Sequence, residues 1–108
     1  MPQSRAVMQH RFAGAASTIA IGTTKSFPVD VLDVLVFNVE GSFYAIEDVC
    51  THDGAPLDQG HLEGKCIVCP RHGATFDVRT GEALTLPAVI PVMTFAVSVE
   101  GDDLVIDC

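Results

Sequence analysis

An all-β fold is what this sequence predicts, a small antiparallel β-sandwich or barrel. Two observations carry that expectation. Apolar residues recur at spacing two in short runs separated by turn-forming residues, and no window of ten or more residues holds a helical stripe. A chain of 108 residues with 48% hydrophobic and 19% charged side chains is long enough to bury one core without disulfides. One domain, 1–108, is therefore expected.

The elements follow in order. Thr18–Ile21 reads as a first strand. Val31, Leu35, Phe37 and Val39 lie two or four apart, and Glu40-Gly41-Ser42 turns the chain into a partner strand, Phe43–Glu47. Lys65–Val68 reads as another strand. Thr75–Val78 and Ala83–Leu86, joined by Thr80-Gly81-Glu82, suggest a second hairpin. Met93–Val99 and Leu104–Asp107, joined near Glu100-Gly101-Asp102, suggest a third. Helical turns are expected at most near Ala13–Ala16 or Gly60–Leu62.

Charge is uneven. Residues 1–29 hold Arg5, Arg11 and Lys25 with no acid, whereas residues 30–108 set Lys65, Arg71 and Arg79 against all fourteen acids, a local balance of −11 within a net −8. Phosphate backbones repel such a body, so no nucleic-acid partner is expected; a basic docking surface on another protein fits better. The longest apolar run, Val29–Val39, is interrupted by Asp30, Asp33 and Asn38 and cannot span a bilayer. No membrane association is expected, and the location expected is the cytoplasm.

The chemistry sits in two boxes, Cys50-Thr51-His52 and Cys69-Pro70-Arg71-His72, with sixteen positions (53 to 68) between them. Cys50, His52, Cys69 and His72 make a four-ligand set of two thiolates and two imidazoles. That mixture suits a tetrahedral zinc, or a two-iron cluster with thiolates on one iron and imidazoles on the other. The first outcome implies a zinc-stabilised interaction module, the second an electron carrier. Both boxes lie in turn-rich sequence, Asp53-Gly54-Ala55-Pro56-Leu57 after the first and Gly73-Ala74 after the second. Glycine there lets backbone N–H groups approach an inorganic centre. Leu86-Pro87-Ala88, with Pro91 nearby, offers stiff apolar backbone to cover it. Period two places Cys66 and Cys69 on opposite sheet faces, which disfavours a Cys-x-x-Cys redox pair. Cys66 is expected as a small core residue, Cys108 as a bystander, and His10 and His61 as neutral surface residues.

These boxes, with Val36–Ile46 leading into the first and Cys69–Ala83 containing the second, closely resemble the Rieske [2Fe–2S] ferredoxins, the small electron carriers of multicomponent aromatic-ring-hydroxylating oxygenases. The likeness runs from about residue 17 to the end. It implies a Rieske cluster-binding subdomain on the β-sandwich and one [2Fe–2S] cluster per chain. Cys50 and Cys69 would hold the inner iron, His52 and His72 the outer one. Neutral imidazoles in place of two thiolates raise the potential relative to an all-cysteine cluster. High-potential members carry a bridging cysteine in each box, where this chain has Ala55 and Arg71, and a serine and tyrosine where it has Ala74 and Phe76. Without those hydroxyl donors to sulfur, the resemblance implies a potential toward the low end of the Rieske range, roughly −150 mV. The implied partners are an NAD(P)H-dependent flavoprotein reductase and a terminal oxygenase, and the chain is expected to be a monomer that catalyses no bond chemistry itself. A Rieske-type small subunit of another reductase, such as nitrite reductase, is the alternative within the same fold. Asp53 and Asp58 flank the first box as candidate partner contacts, and Arg71 lies between two ligands.

Overall fold

The computed structural model describes residues 10–29, 32–51, 54–71, 73–86 and 88–107. Nine strands account for nearly all its regular structure: β1 (His10–Ala15), β2 (Thr24–Val29), β3 (Leu32–Val39), β4 (Ser42–Glu47), β5 (His61–Glu63), β6 (Cys66–Val68), β7 (Thr75–Asp77), β8 (Thr94–Glu100) and β9 (Asp103–Asp107). Six of them form one antiparallel sheet in the order β1-β9-β8-β4-β3-β2, and β1 meets β2 so that the sheet nearly closes on itself. The other three form a small sheet, β5-β6-β7, inserted between β4 and β8 in the chain.

Strand β3 explains how the two parts join. Its buried run, Val34–Val39, shows the near-continuous apolar character of a strand covered on both faces. Val34 and Val36 point into the barrel with Ile19, Phe27, Val29, Ala45, Leu104 and Ile106. Leu35, Phe37 and Val39 point the other way, into a second core shared with Leu57, Ile67, Phe76 and Val78 of the inserted lobe. Strict alternation on one strand thus feeds two cores. Asn38, the buried polar side chain among the described residues, is satisfied: its amide donates to the Ile19 carbonyl (2.8 Å) and its carbonyl oxygen accepts from the Gly41 N–H (2.9 Å).

Three sequence expectations need correction, and one strand goes beyond them. Thr18–Ile21 is not a strand. The first strand is β1, followed by a 3-10 turn at Ala16–Thr18, where the Ala16 N–H donates to the Asp102 carbonyl and the Ser17 N–H and hydroxyl donate to the Asp102 carboxylate. Residues Thr24–Val29 form a strand despite Pro28, because β2 ends the sheet order and the missing N–H removes no bond that a central strand would need. His61–Glu63 is a strand, not a helical turn, since β6 pairs along it. Beyond β7, Ala83 alone makes a bridge, to Phe76, and Leu84–Leu86 leave the sheet.

Candidate metal centre

The second cysteine box leaves β6 directly, and the first follows β4 after Asp48 and Val49. In the first, the Cys50 N–H donates to the Ala55 carbonyl (2.7 Å), and the Gly54 N–H donates back to the Cys50 carbonyl (2.7 Å). In the second, the Cys69 N–H donates to the Ala74 carbonyl (2.7 Å), and the Gly73 N–H donates back to the Cys69 carbonyl (3.1 Å). Gly54 and Gly73 both take left-handed backbone, φ +78° and +76°. The two loops are therefore the same five-residue frame used twice, and glycine at the fifth position is what the frame requires. The sequence carries this equivalence as one shared spacing, Cys50-x-x-x-Gly54-Ala55 and Cys69-x-x-x-Gly73-Ala74, although the histidines fall at different positions within it, C-x-H against C-x-x-H.

The frames deliver both sulfurs to one place. Cys50 and Cys69 are each 1% exposed and belong to the same core as Leu57, Ile67, Ala74, Phe76 and Ala88. Cys50, Cys66 and Cys69 make no disulfide with one another. His52 and His72, with Asp53, fall outside the described residues, as do Pro87 and Cys108. Arg71 is exposed and Asp58 half-buried.

The first loop is braced from below by Asp48. Its carboxylate accepts from the Leu57 N–H (2.7 Å) and the Ser26 hydroxyl (3.0 Å). Burial pushes the Asp48 pKa above the ordinary carboxylate range, more than these bonds pull it down. From above, the Thr51 hydroxyl donates to the Ile90 carbonyl (2.6 Å), tying the first box to the segment before β8. The turn that follows packs against β6 so closely that a β-carbon at Gly60 would strike the Val68 carbonyl.

Cys66 is half-buried rather than a core residue. Ile67 and Cys69 face inward while Cys66 and Val68 lie on the outer face, as period two requires. Burial, reinforced by nearby Asp77, pushes the Cys66 thiol pKa up. Asp77 itself holds Arg79 through bonds of 2.9 and 3.2 Å, and that contact keeps its carboxyl below the ordinary range. His61 is exposed, as expected, and contacts Glu63 (2.6 Å). The side chain of His10 lies outside the description.

Two buried thiols in equivalent turns of one apolar core, each followed in sequence by an imidazole, fit an inorganic cluster with mixed ligands. An isolated thiolate in such a core would carry an unsolvated charge; a metal neutralises it. Among the described residues, no helix is long and apolar enough to cross a membrane.

The Rieske [2Fe-2S] domain family matches residues 9–96. The ferredoxin component of biphenyl 2,3-dioxygenase from Rhodococcus jostii RHA1 is 41% identical over 93 residues, 86% of this chain and 87% of the relative. The ferredoxin of carbazole 1,9a-dioxygenase from Nocardioides aromaticivorans IC177 superposes with a TM-score of 0.86 at 34% identity, covering 91% of this chain and 96% of that one. A ferredoxin solved in complex with the oxygenase of carbazole 1,9a-dioxygenase gives 0.85 at 35% identity, covering 91% and 92%. With fold, buried sulfurs and relatives in agreement, the chain belongs to the Rieske [2Fe-2S] domain family, carries that family's type of cluster, and is a ferredoxin rather than an enzyme.

Proposed function

We propose that this chain is the ferredoxin of a ring-hydroxylating oxygenase system. As one domain, monomeric and cytoplasmic, it takes single electrons from an NAD(P)H-dependent flavoprotein reductase and delivers them to a terminal oxygenase. The observation that carries this reading is the doubled cysteine frame in one core, in a chain whose relatives include ferredoxins named as components of biphenyl and carbazole dioxygenases.

Cys50 and Cys69 hold the inner iron, and His52 and His72 the outer one. When bound, the two-iron, two-sulfide group supplies a single centre that takes up one electron and returns it. The protein's part is to keep water from the sulfurs and to hold the donors rigidly. The lobe core excludes solvent around both cysteines, and the Gly54 and Gly73 turns fix their backbones. Ala74 and Phe76, both fully buried in the same core as Cys69, offer no hydroxyl to a cluster sulfur, which supports a low potential suited to a flavin donor.

The test is turnover. Purified brown protein, mixed with NADH, a flavoprotein reductase and the oxygenase component of biphenyl dioxygenase, should be reduced by the reductase and reoxidised by the oxygenase, followed at its visible bands. A colourless, zinc-stoichiometric protein, or one that the reductase reduces but neither the biphenyl nor the carbazole oxygenase reoxidises, would overturn the proposal.

A further inference from the structure

Among the described residues, the strongest apolar surface feature of this acidic molecule lies beside the cysteine loops. Residues 83–99 contain no charged side chain, in a chain of net charge −8. Within that stretch Leu86, Val89 and Ile90 are 77%, 72% and 59% exposed, and Leu84 and Met93 are also exposed. Apolar side chains this exposed and this close in sequence mark an interaction site more often than a chance surface.

Their loop is held, not loose. Its ends are pinned where the Val92 N–H donates to the Gly81 carbonyl (2.8 Å). Gly81 is left-handed (φ +79°), and a β-carbon there would strike the Val92 carbonyl, so the pin needs glycine. One flank is tied by the Leu84 N–H to the Thr75 carbonyl (2.8 Å) and by Thr85 to Thr75 (3.0 Å). The other flank is tied by Thr51 to Ile90. In the middle Ala88 is buried, anchoring the loop in the core that holds Cys50 and Cys69. The loop thus buries its smallest apolar residue and holds the large ones in water. A surface ordered before binding loses little entropy on binding.

We propose that this loop, through Leu86, Val89 and Ile90, is the element by which the chain docks on the terminal oxygenase, against an apolar patch of that partner. The inference rests on the function proposed above. Three observations select this occupant. Thr51 lies between Cys50 and His52, so a partner seated on the loop sits beside the first box, and single-electron transfer needs that closeness. A second copy of this chain would bring two bodies of charge −8 together, which opposes self-association through a patch this small. A relative 35% identical was solved in complex with its oxygenase. Three side chains suit a small, short-lived interface, the size range of electron-transfer encounters.

The experiment compares wild type with the combined variant Leu86→Ser, Val89→Ser, Ile90→Ser, using the oxygenases of biphenyl and carbazole dioxygenases as acceptors. These side chains are exposed, so the cluster's visible spectrum, its potential and its reduction by dithionite should not change. KM for the oxygenase should rise roughly tenfold or more, while Ile21→Ser, equally exposed outside the loop, leaves it unchanged. Should the combined variant lose its cluster, Leu86→Ser alone gives the same reading with a smaller rise. A spectroscopically intact variant whose KM stays within about twofold of wild type overturns the docking assignment and leaves the functional reading standing. A wild-type chain that reduces neither oxygenase overturns the functional reading itself. Wild type that dimerises, with the dimer lost in the variant and turnover unchanged, assigns the loop to a second copy and overturns the proposal.

Discussion

The barrel and the inserted lobe share strand β3, yet they are held together in different ways. The barrel rests on long registers: β2 pairs with β3 over six residues and β3 with β4 over six, and β8 with β9 over five. Among the described residues its core is aliphatic and aromatic, with no sulfur. The lobe has strands of three residues only, β5, β6 and β7. Turn bonds at Cys50, Gly54, Cys69 and Gly73 replace ladder bonds, and both cysteines sit inside its core. Strands that short do not stabilise themselves. The difference teaches that the barrel is the scaffold and the lobe is completed by what its cysteines bind.

The largest expected effect breaks the two regions apart. Cys69→Ala removes a donor from the lobe and should abolish the cluster, read as loss of iron, sulfide and visible colour, while the far-UV signature of the barrel persists. Leu104→Ala, fully buried on the barrel side, should do the reverse: keep the cluster and lower stability by about 2–5 kcal/mol in denaturant unfolding. Equal cluster loss in both variants would erase the distinction.

A subtler change stays within the lobe. Ala74→Ser with Phe76→Tyr places hydroxyls beside Cys69 and should shift the reduction potential upward in voltammetry, since donors to sulfur favour the reduced, more negative form. An unchanged or lower potential would discard that account of the tuning.

The smallest expected effect concerns the outer face of the lobe. The Asp77 carboxyl, held by Arg79, has its pKa lowered on folding. A lowered pKa contributes stability that is present above the ordinary value of 3.8 and is lost as pH falls through the folded value. Asp77→Asn should therefore flatten the acid limb of the stability curve slightly, as the pair's guanidinium is well exposed. A steeper acid limb would contradict the sign.

How far this was legible from residues alone follows the same division. Strands β3, β4, β8 and β9 were readable because alternation and turn residues coincide there. β2 was not among the expected strands; it contains Pro28, whose cost depends on sheet order, which a linear sequence does not display. The expected strand at Thr18–Ile21 gave way to a turn fixed by Asp102, a partner 85 residues distant from Ser17. At the site, residue types and spacing picked out Cys50 and Cys69, and the Cys-x-x-x-Gly-Ala spacing common to both boxes marks the shared frame, whose hydrogen bonds only the backbone displays. The Thr51–Ile90 tie and the outward-facing Leu86, Val89 and Ile90 were likewise out of reach. The sequence marked Leu86-Pro87-Ala88 as a loop able to cover the centre, but within the uncharged stretch 83–99 it did not show which apolar side chains face water.

The central claim is the asymmetric ligand set, and Mössbauer spectroscopy of the ⁵⁷Fe-enriched, dithionite-reduced protein tests it most directly. The account predicts two inequivalent irons with two acid-labile sulfides per chain, the ferrous one bearing the imidazoles of His52 and His72. A single metal ion without sulfide, or two irons in matching all-sulfur surroundings, would contradict it.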